Sequence, residues 1–394
     1  MTRRATLQAA VWTAASYSRV SGANERLGVG VIGAGGRGQY VMGLFRKTGQ
    51  ADIRAVCDVW GDRVDEALSK APGARGFSDH RRLLEEGGLD AVLIATPDHW
   101  HRDTVIDALN AGKDVYVEKP LMRLRAEGPE MVKAARVNQR VCQVGLQQRS
   151  GRVYLEARER FVRSGVMGKI SHVRCVWDSG RPRRLPKQPA VKPSSLDWVR
   201  YLGPVKYRDW NPAQYFDFRA FLDFGGGKLT DFGVHWLDVV HMFLDVDAPL
   251  SAVAAGGVYH DFGDGRTAPD TVSALLEYPG GVSVSFRSLA VPRSEEYHVE
   301  FLGQGGRLWI HRNRYEFYPA EKGAPPIVEQ FPGDITEDHV RNFLECCVSR
   351  KMPAADVYTG HRSTQAALLA VESYQDKRRI AFDPVREAVL PLGA

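Results

Sequence analysis

The chain is poor in cysteine. It has five in 394 residues, and none falls in a CxxC or Cys/His ligand spacing. That excludes a disulfide framework and leaves a structural zinc without ligands. Cys57, Cys142 and Cys175 fall in strand-like apolar runs, and Cys346 and Cys347 are neighbours in a helical one, so all five read as buried thiols. Long hydrophobic runs are missing as well, since none approaches the roughly 18–20 apolar residues that cross a bilayer. A surplus of one charge is nearly missing too. The formal net charge is +6, but Arg3, Arg4 and Arg19, ahead of the first acid Glu25, account for half of it. What remains marks no nucleic-acid stripe. With 44% hydrophobic and 25% charged residues the composition is that of an ordinary globular protein, which excludes disorder, collagen and coiled coil. The length suits two domains.

The first residues read as an address. Arg3-Arg4 followed by an uncharged, mildly apolar stretch and then Ser21-Gly22-Ala23 has the form of a twin-arginine export signal over 1–23, which predicts a periplasmic protein. From 27 to 148, short Val/Ile-rich runs at 28–33, 53–59, 91–96, 115–117 and 141–146 alternate with amphipathic segments such as 100–110 and 130–137. Runs apolar on every residue are strands buried on both faces, and the alternation predicts an α/β domain with a doubly wound parallel sheet. From 149 to 394 the texture changes. Strands are expected at 170–178, 251–260, 271–278, 282–289, 298–302 and 307–310, with turns at Pro279-Gly280-Gly281 and Gln304-Gly305-Gly306. Helices are expected at 153–164, 229–244, 337–349 and 361–376. This predicts an α+β domain on an open, mostly antiparallel sheet.

Gly33-Ala34-Gly35-Gly36-Arg37-Gly38 fits GxGxxG between a predicted strand and a predicted helix. Its glycines allow a tight turn, close approach of a pyrophosphate and packing of the helix on the strand, whose amino end then faces the phosphates. Asp58 ends the second strand, where a carboxylate accepts ribose hydroxyls and repels a 2′-phosphate, so NAD is favoured over NADP. Arg37 and Arg63 are the cations that could weaken that preference.

Thr96-Pro97-Asp98-His99-Trp100-His101 ends the next strand, and Glu118-Lys119-Pro120 the one after it. Ligands of doubly wound sheets sit at such strand ends. Farther along, Gly225-Gly226-Gly227 leads to Asp231 and His235, four residues apart on one helix face, where Asp231 is expected to orient His235. With Gly145-Leu146-Gln147-Gln148-Arg149 and Gly360-His361-Arg362, these motifs resemble the glucose–fructose oxidoreductase, inositol dehydrogenase and rhizopine-catabolism (Gfo/Idh/MocA) family over nearly the whole chain. The resemblance implies an NAD-dependent oxidoreductase of two domains, often a homodimer or homotetramer through its open sheet. It also implies catalytic roles for Lys119, Asp231 and His235. Gly33, Gly35, Gly36, Arg37, Gly38, Asp58, Thr96, Pro97, His99, His101, Glu118, Lys119 and Gln147 would line the cofactor. Arg149, Trp177, Arg181, Arg183 and Tyr215 are candidates for substrate. No residue set for a metal is expected.

The chemistry agrees: taking hydride from a secondary alcohol requires a base for the hydroxyl proton near pH 7. Trp177, Trp198, Tyr201, Tyr207, Trp210, Tyr215 and Trp236 suit sugar rings or simple core packing. Three functions compete. The first oxidises a sugar, cyclitol or glycoside. The second is a redox-neutral, NAD-dependent glycoside hydrolysis through a transient 3-ketone and elimination. The third keeps NAD in a binding protein without catalysis. A proline-stiffened loop at 180–193 carries Arg181, Arg183, Arg184 and Lys187, a candidate grip on an anionic substrate or a solvated arm.

Overall fold

The computed structural model describes residues 26–179, 189–260, 263–292 and 296–391. The expected export signal and Arg181, Arg183, Arg184 and Lys187 lie outside them. Six strands form one all-parallel sheet: β1 (Leu27–Ile32), β2 (Ala51–Cys57), β3 (Arg75–Phe77), β4 (Ala91–Ile94), β5 (Asp114–Val117) and β6 (Cys142–Val144). Their order, β3-β2-β1-β4-β5-β6, is that of a Rossmann domain, with its reversal between β1 and β4. All four residues of β4 and of β5 are buried, as strands covered on both faces require. One cover comes from far away. The helix Ile335–Ser349 sets Phe343 against Phe45 and Tyr116, at ring distances of 5.9 and 5.7 Å.

The second sheet has ten strands: β7 (Ile170–Trp177), β8 (Ser251–Gly257), β9 (Thr271–Tyr278), β10 (Val282–Ser288), β11 (Tyr297–Gly303), β12 (Gly306–Ile310), β13 (Arg314–Pro319), β14 (Ile327–Gln330), β15 (Ile380–Asp383) and β16 (Ala388–Val389). They run in the order β14-β13-β12-β11-β7-β10-β9-β8-β15-β16. Every pair is antiparallel except β7 and β10, which are parallel neighbours. Both predicted turns close antiparallel pairs, β9/β10 and β11/β12. Burial alternates along β9, so one face of the sheet packs on helices Val234–Leu244 and Val357–Asp376 while the other stays open.

Between β7 and β8 the chain leaves this sheet and returns to the first domain. Short helices at Trp198–Leu202 and Pro212–Phe216 close a small core of their own around Trp198, Tyr201, Tyr215 and Phe224. This roof is fastened to the strand ends by the Trp60–Leu196 bridge, by Asp197 N–H donating to the Val59 carbonyl at 2.9 Å and by Arg200 donating to the Ser78 carbonyl at 2.7 Å.

Candidate active site

A cleft runs along the carboxyl ends of β1, β2, β4 and β5, under the roof. At one end lies the glycine turn. Gly33 has φ +91°, and a side chain there would stand 2.7 Å from the backbone of Ala95 and Thr96. At Gly38 a Cβ would fall 1.9 Å from the Gly33 carbonyl oxygen, so the helix Gly36–Lys47 starts against the strand only because no side chain intervenes. Asp58 receives the Ala34 N–H at 2.8 Å and the Trp60 N–H at 2.9 Å, tying the turn to the end of β2. Burial raises its carboxyl above the ordinary value, with Arg63 and these N–H groups pulling the other way.

These groups fit a dinucleotide. The turn itself carries no side chain at Gly33, Gly35 and Gly36 where a pyrophosphate would lie, the Arg63 guanidinium stands 3.0 Å from where a Cβ on Gly35 would be, and a carboxylate stands where a ribose would. Buried polar atoms without a partner among the described residues, Thr96 Oγ1 and the Tyr215 hydroxyl, belong to residues that line the cleft. Arg37, on the first turn of the helix, reaches Glu118 at 2.8 Å. Burial works against its charge, but Glu118, with help from Tyr116 and Tyr40, raises its pKa on balance.

At the other end the EKP segment meets the second domain. Lys119 Nζ lies 2.5 Å from Asp231 Oδ1 and 2.8 Å from the Asp231 carbonyl oxygen. Arg219 donates to the same Oδ1 at 2.9 Å. Burial alone would raise Asp231, yet the two cations hold it well below the usual carboxylate range. Asp231 sits on a π turn, Leu229–Gly233, that runs into the helix Val234–Leu244 carrying His235. A local widening of this kind is a common device at functional sites.

Asp231 does not orient His235, contrary to the expectation from their spacing, because its carboxylate is committed to Lys119 and Arg219. The orienting group is Gln148, whose Oε1 lies 3.0 Å from His235 Nδ1 while its amide donates to the Tyr297 hydroxyl at 3.5 Å. Nδ1 therefore carries the proton and Nε2 is left as the acceptor. Burial, and then the charge of Lys119, hold His235 well below its ordinary pKa, so the ring is neutral.

Other expected site residues lie elsewhere. His99 is outside the cleft lining; its ring is buried against Phe224 and Tyr201, with Nε2 2.8 Å from the Tyr201 carbonyl oxygen. His101 is also outside the lining and spans two loop carbonyls, those of Pro120 at 2.7 Å and Thr96 at 2.9 Å. Both shape the cleft from behind. Gln147 is buried on the turn Gln147–Ser150 and does not reach the cleft. Arg149 is taken up by Asp238, at 2.8 Å, rather than turned to a substrate. Trp177 stacks on Phe232 at 4.6 Å and lies 5.5 Å from the His235 ring, at the reacting end. Tyr215 is at the opposite end, under Arg63 and against Trp60, in the quarter of Asp58. Trp198 and Trp236 are core residues, whereas Tyr201, though buried, lines the cleft.

Three site residues escape a reading of the sequence. Gln148 stands inside a motif already noted, two residues before a turn end. Asp98 stands inside another, and its burial gives it away only in three dimensions. Arg219 has no local signal, since it reaches Asp231 only because the roof folds back.

The comparisons agree with this layout. Residues 27–146 match the model of the oxidoreductase family with an NAD-binding Rossmann fold, and residues 201–309 match the Gfo/Idh/MocA C-terminal domain. The chain is 32% identical to inositol 2-dehydrogenase 2 of Saccharopolyspora erythraea, with 88% of this chain and 93% of the relative covered. It is 22% identical to scyllo-inositol 2-dehydrogenase (NAD(+)) of Bacillus subtilis, over 90% of this chain and 96% of the relative. Among solved structures, the WlbA dehydrogenase of Bordetella pertussis, in complex with NADH and UDP-GlcNAcA, superposes with a TM-score of 0.71 at 21% identity, covering 91% of this chain and 99% of that one. Family models over more than half its length, and a relative aligned nearly end to end, place this chain in the Gfo/Idh/MocA family of NAD-binding oxidoreductases.

Proposed function

We propose that the protein oxidises a secondary alcohol of a carbohydrate, in the class of cyclitols and sugars, using NAD. The observation that carries this reading is that Lys119, which lines one end of the cleft whose other end is the glycine turn and Asp58, is held 2.5 Å from Asp231 just behind it, with His235 close enough to feel both charges. The relatives named as inositol dehydrogenases support the substrate class. Gly33, Gly35 and Gly36 make room for the pyrophosphate, Gly38 lets the helix pack on the strand, and the start of the helix Gly36–Lys47 faces the pyrophosphate. Asp58 accepts the adenosine ribose hydroxyls and disfavours a 2′-phosphate. When bound, NAD supplies the acceptor for the hydride.

The chain supplies the proton path and the grip. His235 Nε2, neutral and fixed by Gln148, accepts a hydrogen bond from a substrate hydroxyl. Lys119 receives the proton of the reacting hydroxyl, and Asp231 holds its ammonium in place between turnovers. Trp177 offers a ring face beside His235. The twin arginines support export, testable by fractionating cells that express the chain with Arg3→Lys/Arg4→Lys and without.

The test is a panel of cyclitols, sugars and glycosides added to the purified protein with NAD. NADH formed in proportion to oxidised polyol is the expected result. Glycoside cleavage without net NADH would replace this reading with the redox-neutral hydrolysis, and no reaction at all would leave a binding protein.

A further inference from the structure

One buried ion pair lies behind the reacting end and has no part in the chemistry above. Asp238 is fully buried on the helix Val234–Leu244, and Arg149 stands, largely buried, on the turn Gln147–Ser150. Arg149 Nε donates to both carboxylate oxygens, at 2.8 and 3.0 Å. Asp238 also accepts the Ser363 hydroxyl at 2.8 Å, from the residue that follows Gly360-His361-Arg362 on the helix Val357–Asp376. Burying two charges strips water from both, and apolar residues of like volume often serve stability as well. Stability alone is a weak reason for such a pair.

Its neighbours supply a better one. Asp238 lies three residues beyond His235, on the same face of the helix, and Arg149 directly follows Gln148. Turn and helix therefore meet at two points side by side: Arg149 on Asp238, and Gln148 Oε1 at 3.0 Å from His235 Nδ1. The next residue adds a third contact. The Ser150 hydroxyl donates to His339 Nδ1 at 2.7 Å, while His339 Nε2 donates to the Val144 carbonyl at 2.9 Å. Three consecutive side chains thus fasten the turn to two helices. The Gln148 contact is neutral on both sides, and its amide reaches the Tyr297 hydroxyl only at 3.5 Å, whereas bonds between charged groups are roughly twice as strong. We propose that Arg149 and Asp238 are positioning residues for His235, their ion pair locking turn against helix so that Gln148 accepts the Nδ1 proton and Nε2 stays an acceptor. Neither lines the cleft. A ring in the other tautomer would present a donor at Nε2, where the substrate hydroxyl has to donate.

This inference rests on the role given to His235 above, and its first test needs no substrate. Proton–nitrogen spectra of the purified NAD-loaded protein, isotopically labelled at the histidine nitrogens, report the tautomer of each ring, and His235→Gln identifies the signal of interest. The unaltered protein should show His235 as one species protonated at Nδ1. In Arg149→Met/Asp238→Leu, which removes the pair without stranding a buried charge, that signal should become a mixture of both tautomers while Tm changes little. If this variant folds poorly, Arg149→Met/Asp238→Asn keeps an acceptor for Ser363 and poses the same question. Tyr278→Phe is the control. It removes the hydroxyl 2.8 Å from His241, on the same helix as His235, and should leave the His235 signal as it was. A signal protonated at Nε2 in the unaltered protein, no change in the double variants, or an equal change in Tyr278→Phe overturns the inference. With a polyol from the panel that yields NADH, either double variant should lower kcat/KM about 10-fold and leave NAD affinity unchanged. An altered signal with kcat/KM intact would uphold the hold on the ring and count against the role of His235 in the proposed function. Failure of every polyol to react would count against that function as a whole, while the spectra would still decide the place of Arg149 and Asp238.

Discussion

The two ends of the cleft are built on opposite plans. The Asp58 end is backbone and aromatic surface: a bare turn, two N–H groups on a carboxylate, and a roof of Trp198, Tyr201 and Tyr215. The Lys119 end is side-chain charge, with Lys119, Arg219, Asp231 and Asp98 drawn from four segments. A site that must grip needs shape and many small contacts. A site that must move a proton needs few groups with opposed preferences. The difference predicts that substitutions at one end act on binding and at the other on turnover.

The largest effect should come from the reacting end. Lys119→Met is expected to lower kcat about 10³-fold while NAD binding changes less than threefold, read by single-turnover kinetics and by cofactor titration. Comparable losses at both would dissolve the distinction. Next is Gly38→Ala, whose Cβ would collide with the Gly33 carbonyl and force the turn open. NAD affinity should fall by about 10²-fold or more, roughly 2.7 kcal/mol, with a smaller effect on the hydride step in the enzyme that remains loaded.

Asp58→Ala removes both the ribose acceptor and the anchor of the Ala34 N–H. It should weaken NAD about 10–100-fold and raise the relative affinity for NADP, because two charged hydrogen bonds of about 1.5–3 kcal/mol are at stake and some are replaced by water. An unchanged NAD/NADP ratio would show that Asp58 serves the turn alone.

Acid should act on the roof. Burial pushes His99 down to about 4, so the folded roof holds it neutral while the released chain binds a proton below about 6.5. Stability of the docked roof is therefore complete above about 6.5 and declines as pH falls toward 4, by at most about 1.4 kcal/mol per pH unit. Retention of NAD measured across that range should decline with it, and His99→Gln should flatten the slope. The smallest effect is expected from Tyr215→Phe, whose hydroxyl has no partner among the described residues. A change in kcat there would move Tyr215 back to the substrate.

Much of this is legible in one dimension, for reasons that differ by region. β9 spans the residues expected from alternation, because one face is covered and the other open. β4 and β5 are visible as apolar runs closed by motifs. β3 is not, since three residues with two exposed carry no pattern. β14 and β16 are hidden as well, short strands with no buried residue to give a pattern. In the site, Lys119, Asp231 and Asp58 announce themselves by place in a motif, whereas Arg219 depends on how a long excursion docks. The misplacement of His99, His101 and Arg149 has one cause: a motif tells which residues matter, and leaves open whether they face the ligand or hold those that do.

The return of the helix Ile335–Ser349 to the first sheet has a consequence for cooperativity. Beyond Phe343 on Phe45 and Tyr116, His339 stands 2.9 Å from the Val144 carbonyl, Gln143 donates to the His339 carbonyl at 2.8 Å, and Arg350 pairs with Asp114. The sheet built by the first third of the chain is finished by residues from its last fifth. A ribosome would have to release nearly the whole polypeptide before either half could close its core, and a fragment cut after residue 148 would present bare aromatic surface to water. The molecule should therefore melt in one step, as a knot loosens when either end is drawn.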